Sequence, residues 1–130
     1  MSQEIILGVI DLSFHRITAA LIANTLSEMG FIVKCIYTNH EETFKNLATG
    51  KIDMLTSAWL PSSHGKYKKE VENHIGLISL GHHYKPYALW GVPNYIPKST
   101  VNTVNDLLKP MVVDKMNPII QGINPGAGIT

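Results

Sequence analysis

Cysteine is almost absent: Cys35 stands alone among 130 residues, which excludes an internal disulfide framework and a Cys-rich zinc site. Net charge is almost absent too. Lysine and arginine exceed aspartate and glutamate by only one charge, +1, too little for the electrostatic footprint of a nucleic-acid binder. No apolar run approaches the roughly eighteen residues of a membrane-spanning helix. The opening Met1-Ser2-Gln3-Glu4-Ile5-Ile6 lacks the basic region, apolar stretch and small-residue cleavage site of a secretory signal. The chain is therefore expected to be cytosolic, or to be a secreted protein whose signal has been removed. Internal repeats, low-complexity tracts and flexible linkers are missing as well. What is present is 45% hydrophobic and only 16% charged, too apolar for a disordered segment. Its length is one domain's worth, able to bury roughly two-thirds of the surface an unfolded chain exposes. Such a chain suits a small-molecule partner better than a polyanion.

The hydrophobic pattern predicts alternating strands and helices. Ile5 to Ile10 reads as a strand buried on both faces. Asp11-Leu12-Ser13 turns the chain, with Ser13 as N-cap. Ile17, Leu21, Leu26 and Met29 then recur at helical spacing until Gly30. Phe31 to Tyr37 is strand-like. Asn39, with Glu42 three residues on, forms a capping-box pattern before a helix through Phe44 and Leu47 that ends at Gly50. Ile52 to Ala58 predicts a third strand, and Pro61-Ser62-Ser63 opens a helix with Tyr67, Val71, His74 and Ile75 on one face. Further strands are expected over Leu77–Leu80, Tyr87–Val92 and Ile119–Ile123, with a short helix from Thr103 to Lys109 stopped by Pro110. This alternation is that of a mainly parallel α/β sheet. Right-handed crossovers would gather Asp11-Leu12-Ser13, Thr38-Asn39-His40 and Trp59-Leu60-Pro61 at the carboxyl ends of the strands, where such folds bind ligands. The strand Ile119–Ile123 runs into Asn124-Pro125-Gly126-Ala127-Gly128 just before the last residue, where a covering helix should begin, so the chain is expected to be part of a longer protein.

One segment carries the most chemistry: Trp59-Leu60-Pro61-Ser62-Ser63-His64-Gly65-Lys66-Tyr67. It places a large indole where a buried strand leaves the sheet, at the rim of a cleft; a core tryptophan is the alternative. The same segment resembles the Trp-Leu-Pro, His, Tyr segment of the substrate-binding proteins of glycine betaine and proline betaine ABC transporters. Gly50-Lys51-Ile52-Asp53 resembles that family's Gly-x-x-Asp, Gly91-Val92-Pro93-Asn94-Tyr95-Ile96-Pro97 its Gly-x-x-x-Pro-x-Tyr segment, and Gly122-Ile123-Asn124-Pro125-Gly126-Ala127-Gly128 its Gly-Ile-x-Pro-Gly-Ala-Gly loop. Order and spacing agree over nearly the whole chain.

The resemblance implies a type II periplasmic-binding-protein-like fold, with residues 1–84 as a first lobe and residues 85–130 as the crossover and start of an incomplete second lobe. It implies a quaternary ammonium ligand such as glycine betaine or choline, taken up as an osmoprotectant. The partner would be an ABC transporter permease and the location periplasmic or otherwise extracytoplasmic. A trimethylammonium cation has no N–H to donate, so aromatic faces recognise it, at about 0.5–2 kcal/mol per desolvated cation–π contact. By resemblance Trp59 is one wall of an aromatic cage and Trp90 a second; for Trp90, packing against the sheet is the alternative. Asp11, Leu12 and Ser13 match the ligand-contacting loop after the first strand. His64 belongs to the matched segment, either as a ligand contact or as a helix cap, and Tyr67 is expected to face the core.

Other chemistries find little support. His82 and His83 are adjacent and would point to opposite faces of a strand, and His40 and His64 lack a Cys or carboxylate at ligand spacing. Cys35, mid-strand, reads as a buried inert thiol. There is no Gly-x-Ser-x-Gly or P-loop pattern, and Gly126-Ala127-Gly128 is too short for a dinucleotide fingerprint. Neither cofactor nor metal is expected, and the chain is read as a binding protein rather than an enzyme. Two rivals remain open: a cytosolic ligand-sensing regulatory module of the same fold, and a hydrolytic or metal enzyme using some of the six histidines. Apolar strands from Tyr87 to Ile123 with little helix to cover them also predict a homodimer formed through the C-terminal portion.

Overall fold

The computed structural model describes residues 3–85, 87, 89–119 and 121–123. These fall into two compact units, residues 82–122 forming the second and the rest the first.

The first unit is built on β1 (Glu4–Ile10), whose last four residues are buried. It is the middle strand of a parallel sheet ordered β2-β1-β3, with β2 spanning Ile32–Thr38 and β3 Met54–Leu55. β1 pairs with β2 from Glu4↔Ile32 to Ile10↔Thr38, and with β3 at Leu7↔Met54 and Gly8↔Leu55. The pleat sorts the apolar side chains between two layers. Leu7 and Val9 point to one face, where Ala19, Ile22 and Ala23 of α1 (Ser13–Glu28) cover them together with Val33, Cys35 and Met54. Ile10 points to the other, against Phe44 and Leu47 of α2 (His40–Ala48), Ile52, and Val71 of α3 (Gly65–Glu72). Gly8 lets this second layer approach: a Cβ there would overlap Ile52 Cδ1 and press on Thr43 Cγ2 at 3.1 Å.

Several local readings are refined. The N-cap of α1 is Leu12, without a side-chain bond, and Ser13 is its first helical residue. The inward face of α1 is His15 and Ala19, continued by Ile22 and Ala23, while Ile17, Leu21 and Met29 are exposed. Ala19 and Ala23 let the helix axis sit close to the sheet, while Ile17, Leu21 and Met29 face away. Asn39 does cap α2, its Oδ1 accepting from Glu42 N–H at 2.9 Å. Gly50 leaves the helix at φ +70°, the left-handed conformation that suits glycine. β3 is shorter than expected. At Asp53 the carboxylate, not a carbonyl, accepts the Ile6 N–H (2.8 Å), while Asp53 N–H donates to Ile6 O (2.8 Å). Past Leu55 the strand ends, and Ser57 turns the chain at φ +63°. Residues 77–80 form no strand: Leu77 packs on the α2 layer, while Ile78 and Leu80 are exposed.

The second unit holds a 3₁₀ turn (Val104–Leu108) and a single helical turn α4 (Pro110–Val113). Asp106 fixes the first: its carboxylate accepts from the Asn102 and Thr103 N–H groups and pairs with Lys109 at 2.7 Å. The lysine contact above all holds this carboxyl well below the usual range. The 3₁₀ turn ends ahead of Pro110, and Pro110 in turn starts α4; at the first helical position its missing N–H is no loss. Among the described residues, neither 87–92 nor 119–123 forms a strand. Asn124 to Gly128 lies outside the described residues.

Candidate functional site

A sheet ordered β2-β1-β3 has its topological switch point between β1 and β3, because the chain leaves β1 in one direction and returns past it in the other. The loops leaving the carboxyl ends of the strands meet there. Residues 11–14 follow β1, 39–40 follow β2, and 56–64 follow β3.

Trp59 lies in the last of these loops, partly exposed. The Phe14 ring lies 5.8 Å from the indole at 58° between planes, and the His15 ring 6.3 Å away. Phe14 is itself 38% exposed and Trp59 36%, so two tilted aromatic faces meet at the surface of the first unit. Phe14 was not singled out from sequence, although it adjoins the predicted loop. Its signal was available in principle: as the second residue of α1 it sits at the switch point.

Behind this pair, three histidines come together. His40 lies 5.2 Å from His64 and 5.8 Å from His15, ring to ring, and His15 lies 6.4 Å from His64. His64 and His15 are buried, and Phe44 and Tyr67 close the cluster at 5.3 and 6.3 Å from His64. Burial lowers all three histidines, and the charges of their neighbours lower His15 and His64 further, both to about 4. The cluster is therefore neutral at physiological pH. Burial, then the carboxylates of Glu41 and Glu70, raises the Tyr67 phenol. Among the described residues no group of His, Cys, Asp and Glu is arranged to hold a metal ion.

His64 occupies the N-cap position of α3 but makes no side-chain cap. Its Nδ1 instead accepts the Trp59 N–H at 2.9 Å, while its own N–H donates to Trp59 O at 2.9 Å. The intervening Leu60–Pro61 bond is cis. Asp11 is engaged with α1: its carboxylate accepts from Arg16 Nε at 2.6 Å, and the Arg16 guanidinium lies 5.2 Å over the Tyr37 ring. The backbone N–H groups of Asp11 and Leu12 donate to Thr38 O and Ile10 O. Ser13 opens α1, whose first turn has neither a side-chain cap nor an acidic residue. Three buried polar atoms, His15 Nδ1, Thr56 Oγ1 and Ser57 Oγ, have no hydrogen-bond partner among the described residues. Orphaned polar atoms of this kind are rare in folded proteins, and all three lie in loops or first turns at the carboxyl edge.

The structure thus brings Trp59, His64 and the Asp11-Leu12-Ser13 turn into one unit, and adds Phe14, His15 and His40. Trp90 belongs to the second unit, where it is highly exposed.

Residues 3–130 match the family described as the substrate-binding domain of the ABC-type glycine betaine transport system. Neither the curated proteins nor the solved structures gave a match.

Proposed function

The chain belongs to the family of substrate-binding domains of ABC-type glycine betaine transport systems, and on that premise we propose that it binds glycine betaine or a related quaternary ammonium compound through Trp59. The role of the family is binding, not turnover. Its fold is the type II periplasmic-binding fold, to which the parallel α/β sheet of the first unit conforms.

The observation that carries the reading is the Phe14–Trp59 pair at the switch point, two tilted aromatic faces 5.8 Å apart. Aromatic faces offer a methylated cation both negative potential and apolar contact. The neutral state of the neighbouring histidines supports it, since no positive charge stands behind the indole at physiological pH. The first turn of α1, which starts at Ser13 beside Phe14, supplies N–H groups without intrahelical acceptors, suited to the carboxylate end of a betaine. The backbone N–H groups of Asp11 and Leu12 and the Asp11 carboxylate are already engaged, so these residues serve the proposed site through the shape of the turn and the exposed Leu12 side chain.

In this reading the chain works with an ABC permease on the extracytoplasmic side, in osmoprotectant uptake. No helix of the described residues is long and apolar enough to cross a membrane. Residues 1–84 act as a first lobe and 85–130 as the crossover and start of a second, and Trp90 is proposed as a ligand-binding residue of its own unit. The expected homodimer belongs to the same reading: Tyr87, Leu89, Trp90 and Tyr95 expose apolar area that pairing would cover, and light scattering over a concentration series tests it. Calorimetric titration with glycine betaine, proline betaine, choline and carnitine tests the ligand class. Saturable binding of at least one is expected, and no heat with any of the four would overturn the assignment.

A further inference from the structure

We propose that His64 is the positioning residue for Trp59, its unprotonated Nδ1 holding the Trp59 backbone N–H, so that protonation of this imidazole releases the aromatic wall and makes ligand binding acid-sensitive. The ligand part rests on the functional reading above; the positioning part does not.

The segment from Trp59 to His64 is closed by two hydrogen bonds between its end residues: Trp59 N–H to His64 Nδ1 and His64 N–H to Trp59 O, each 2.9 Å. An imidazole nitrogen that accepts carries no proton, so the neutral ring is the Nε2–H tautomer. The imidazolium carries a proton on both nitrogens. Its Nδ1–H would face the Trp59 N–H donor to donor, and the bond would be lost. The Trp59 backbone would lose this bond and keep the one its carbonyl accepts from His64 N–H.

The surroundings set when this happens. α1 brings His15 towards His64, α2 brings His40, and α3 brings Tyr67, on which Glu41 and Glu70 act in turn. Burial first, then the charges of His40 and His15, keep the His64 ring neutral down to about pH 4. Phe44 fills the remaining side with its ring 5.3 Å away. The His15 ring is 6.3 Å from the indole, so a proton there adds a cation beside the wall that must receive one. The two protonations act in the same direction.

The test uses the full chain, labelled with ¹⁵N, from neutral pH to about pH 3, below the value of about 4 at which the His64 ring takes its proton. Nitrogen shifts of the His64 ring report its tautomer, amide exchange reports the Trp59 bond, and calorimetry reports affinity for glycine betaine. The expected result is an unprotonated Nδ1 at neutral pH. Protection of the Trp59 amide and affinity should then fall together in acid while the amides of α1 remain protected. Loss of a buried hydrogen bond of this kind corresponds to about tenfold in affinity or more. His64→Asn places a non-titrating acceptor near the Nδ1 position; at neutral pH it should bind within about threefold of the parent, its Trp59 amide should stay protected in acid, and only the His15 share of the pH dependence should remain. His64→Gln carries its carbonyl too far out and should bind about tenfold more weakly.

A protonated Nδ1 at neutral pH, or a Trp59 amide indifferent to acid, overturns the proposal. Simultaneous loss of the α1 and Trp59 amides overturns the local release. If the Trp59 amide titrates with His64 but glycine betaine never binds, the positioning stands and the ligand assignment falls.

Discussion

Trp59→Ala removes the indole from the Phe14–Trp59 pair, and its effect on affinity can be worked from the structure. About a third of the residue is exposed, and the rest packs beside Phe14 and His15. A quaternary ammonium group seated on the exposed part gains about 0.5–2 kcal/mol of cation–π attraction. Covering roughly 40 Å² of indole contributes about 1 kcal/mol more at 25 cal/mol per Å². The expected loss is about 1.5–3 kcal/mol, or roughly 10- to 150-fold in Kd. Trp59→Leu separates the two contributions, since it keeps apolar area and removes the ring quadrupole. It should weaken binding by about 0.5–2 kcal/mol, the cation–π share alone. Isothermal titration with glycine betaine at neutral pH measures both, with circular dichroism and thermal unfolding to establish that each variant is folded. A folded Trp59→Ala protein that binds with the parent's affinity would refute the assignment. An alanine variant that loses as much affinity for 3,3-dimethylbutanol, the neutral carbon isostere of choline, as for choline itself would refute the role of charge.

Other consequences follow from the same contacts. Gly8→Ala should destabilise the first unit by about 1–3 kcal/mol, because its methyl group collides with Ile52 in a packed layer; urea unfolding measures it, and an unchanged midpoint would show that the layer yields freely. Asn39→Ala removes the α2 cap and should cost about 1 kcal/mol in the same assay. His15 and His64 titrate at about 4 in the fold against 6.5 when free, so between those values the unfolded chain binds more protons. Their contribution is complete above about pH 6.5 and is lost as pH falls towards 4, by up to about 3 kcal/mol for either one; stability that is flat or rising on acidification through this window would contradict the buried neutral cluster.

The parallel α/β unit was legible because its signals are local. The branched run Ile5–Ile10, the Asn39–Glu42 cap and the left-handed Gly30 and Gly50 each act within a few residues. The inward face of α1 was misread because Ile17 and Leu21 share a helical spacing that looks like a core stripe, whereas the sheet takes the small residues Ala19 and Ala23. β3 was overextended for a different reason: a side chain, Asp53, stands in for the ladder at its start. Trp59 could be found from sequence because strand end, Pro61 and the Trp-Leu-Pro motif coincide. Phe14, His15 and His40 could not be joined to it, since their proximity comes from the β2-β1-β3 order and not from spacing. From sequence, His64 reads as a cap or a ligand contact. It is a backbone acceptor for Trp59, a bond that exists only once residues 59–64 have turned back on themselves.

The most direct test of the account is an NMR titration of the chain with glycine betaine, following contacts from the ligand's methyl protons to the protein. The account predicts intermolecular NOEs from the trimethylammonium group to the Trp59 indole and the Phe14 ring at neutral pH. Saturable binding with methyl contacts elsewhere, and none to either ring, would contradict it.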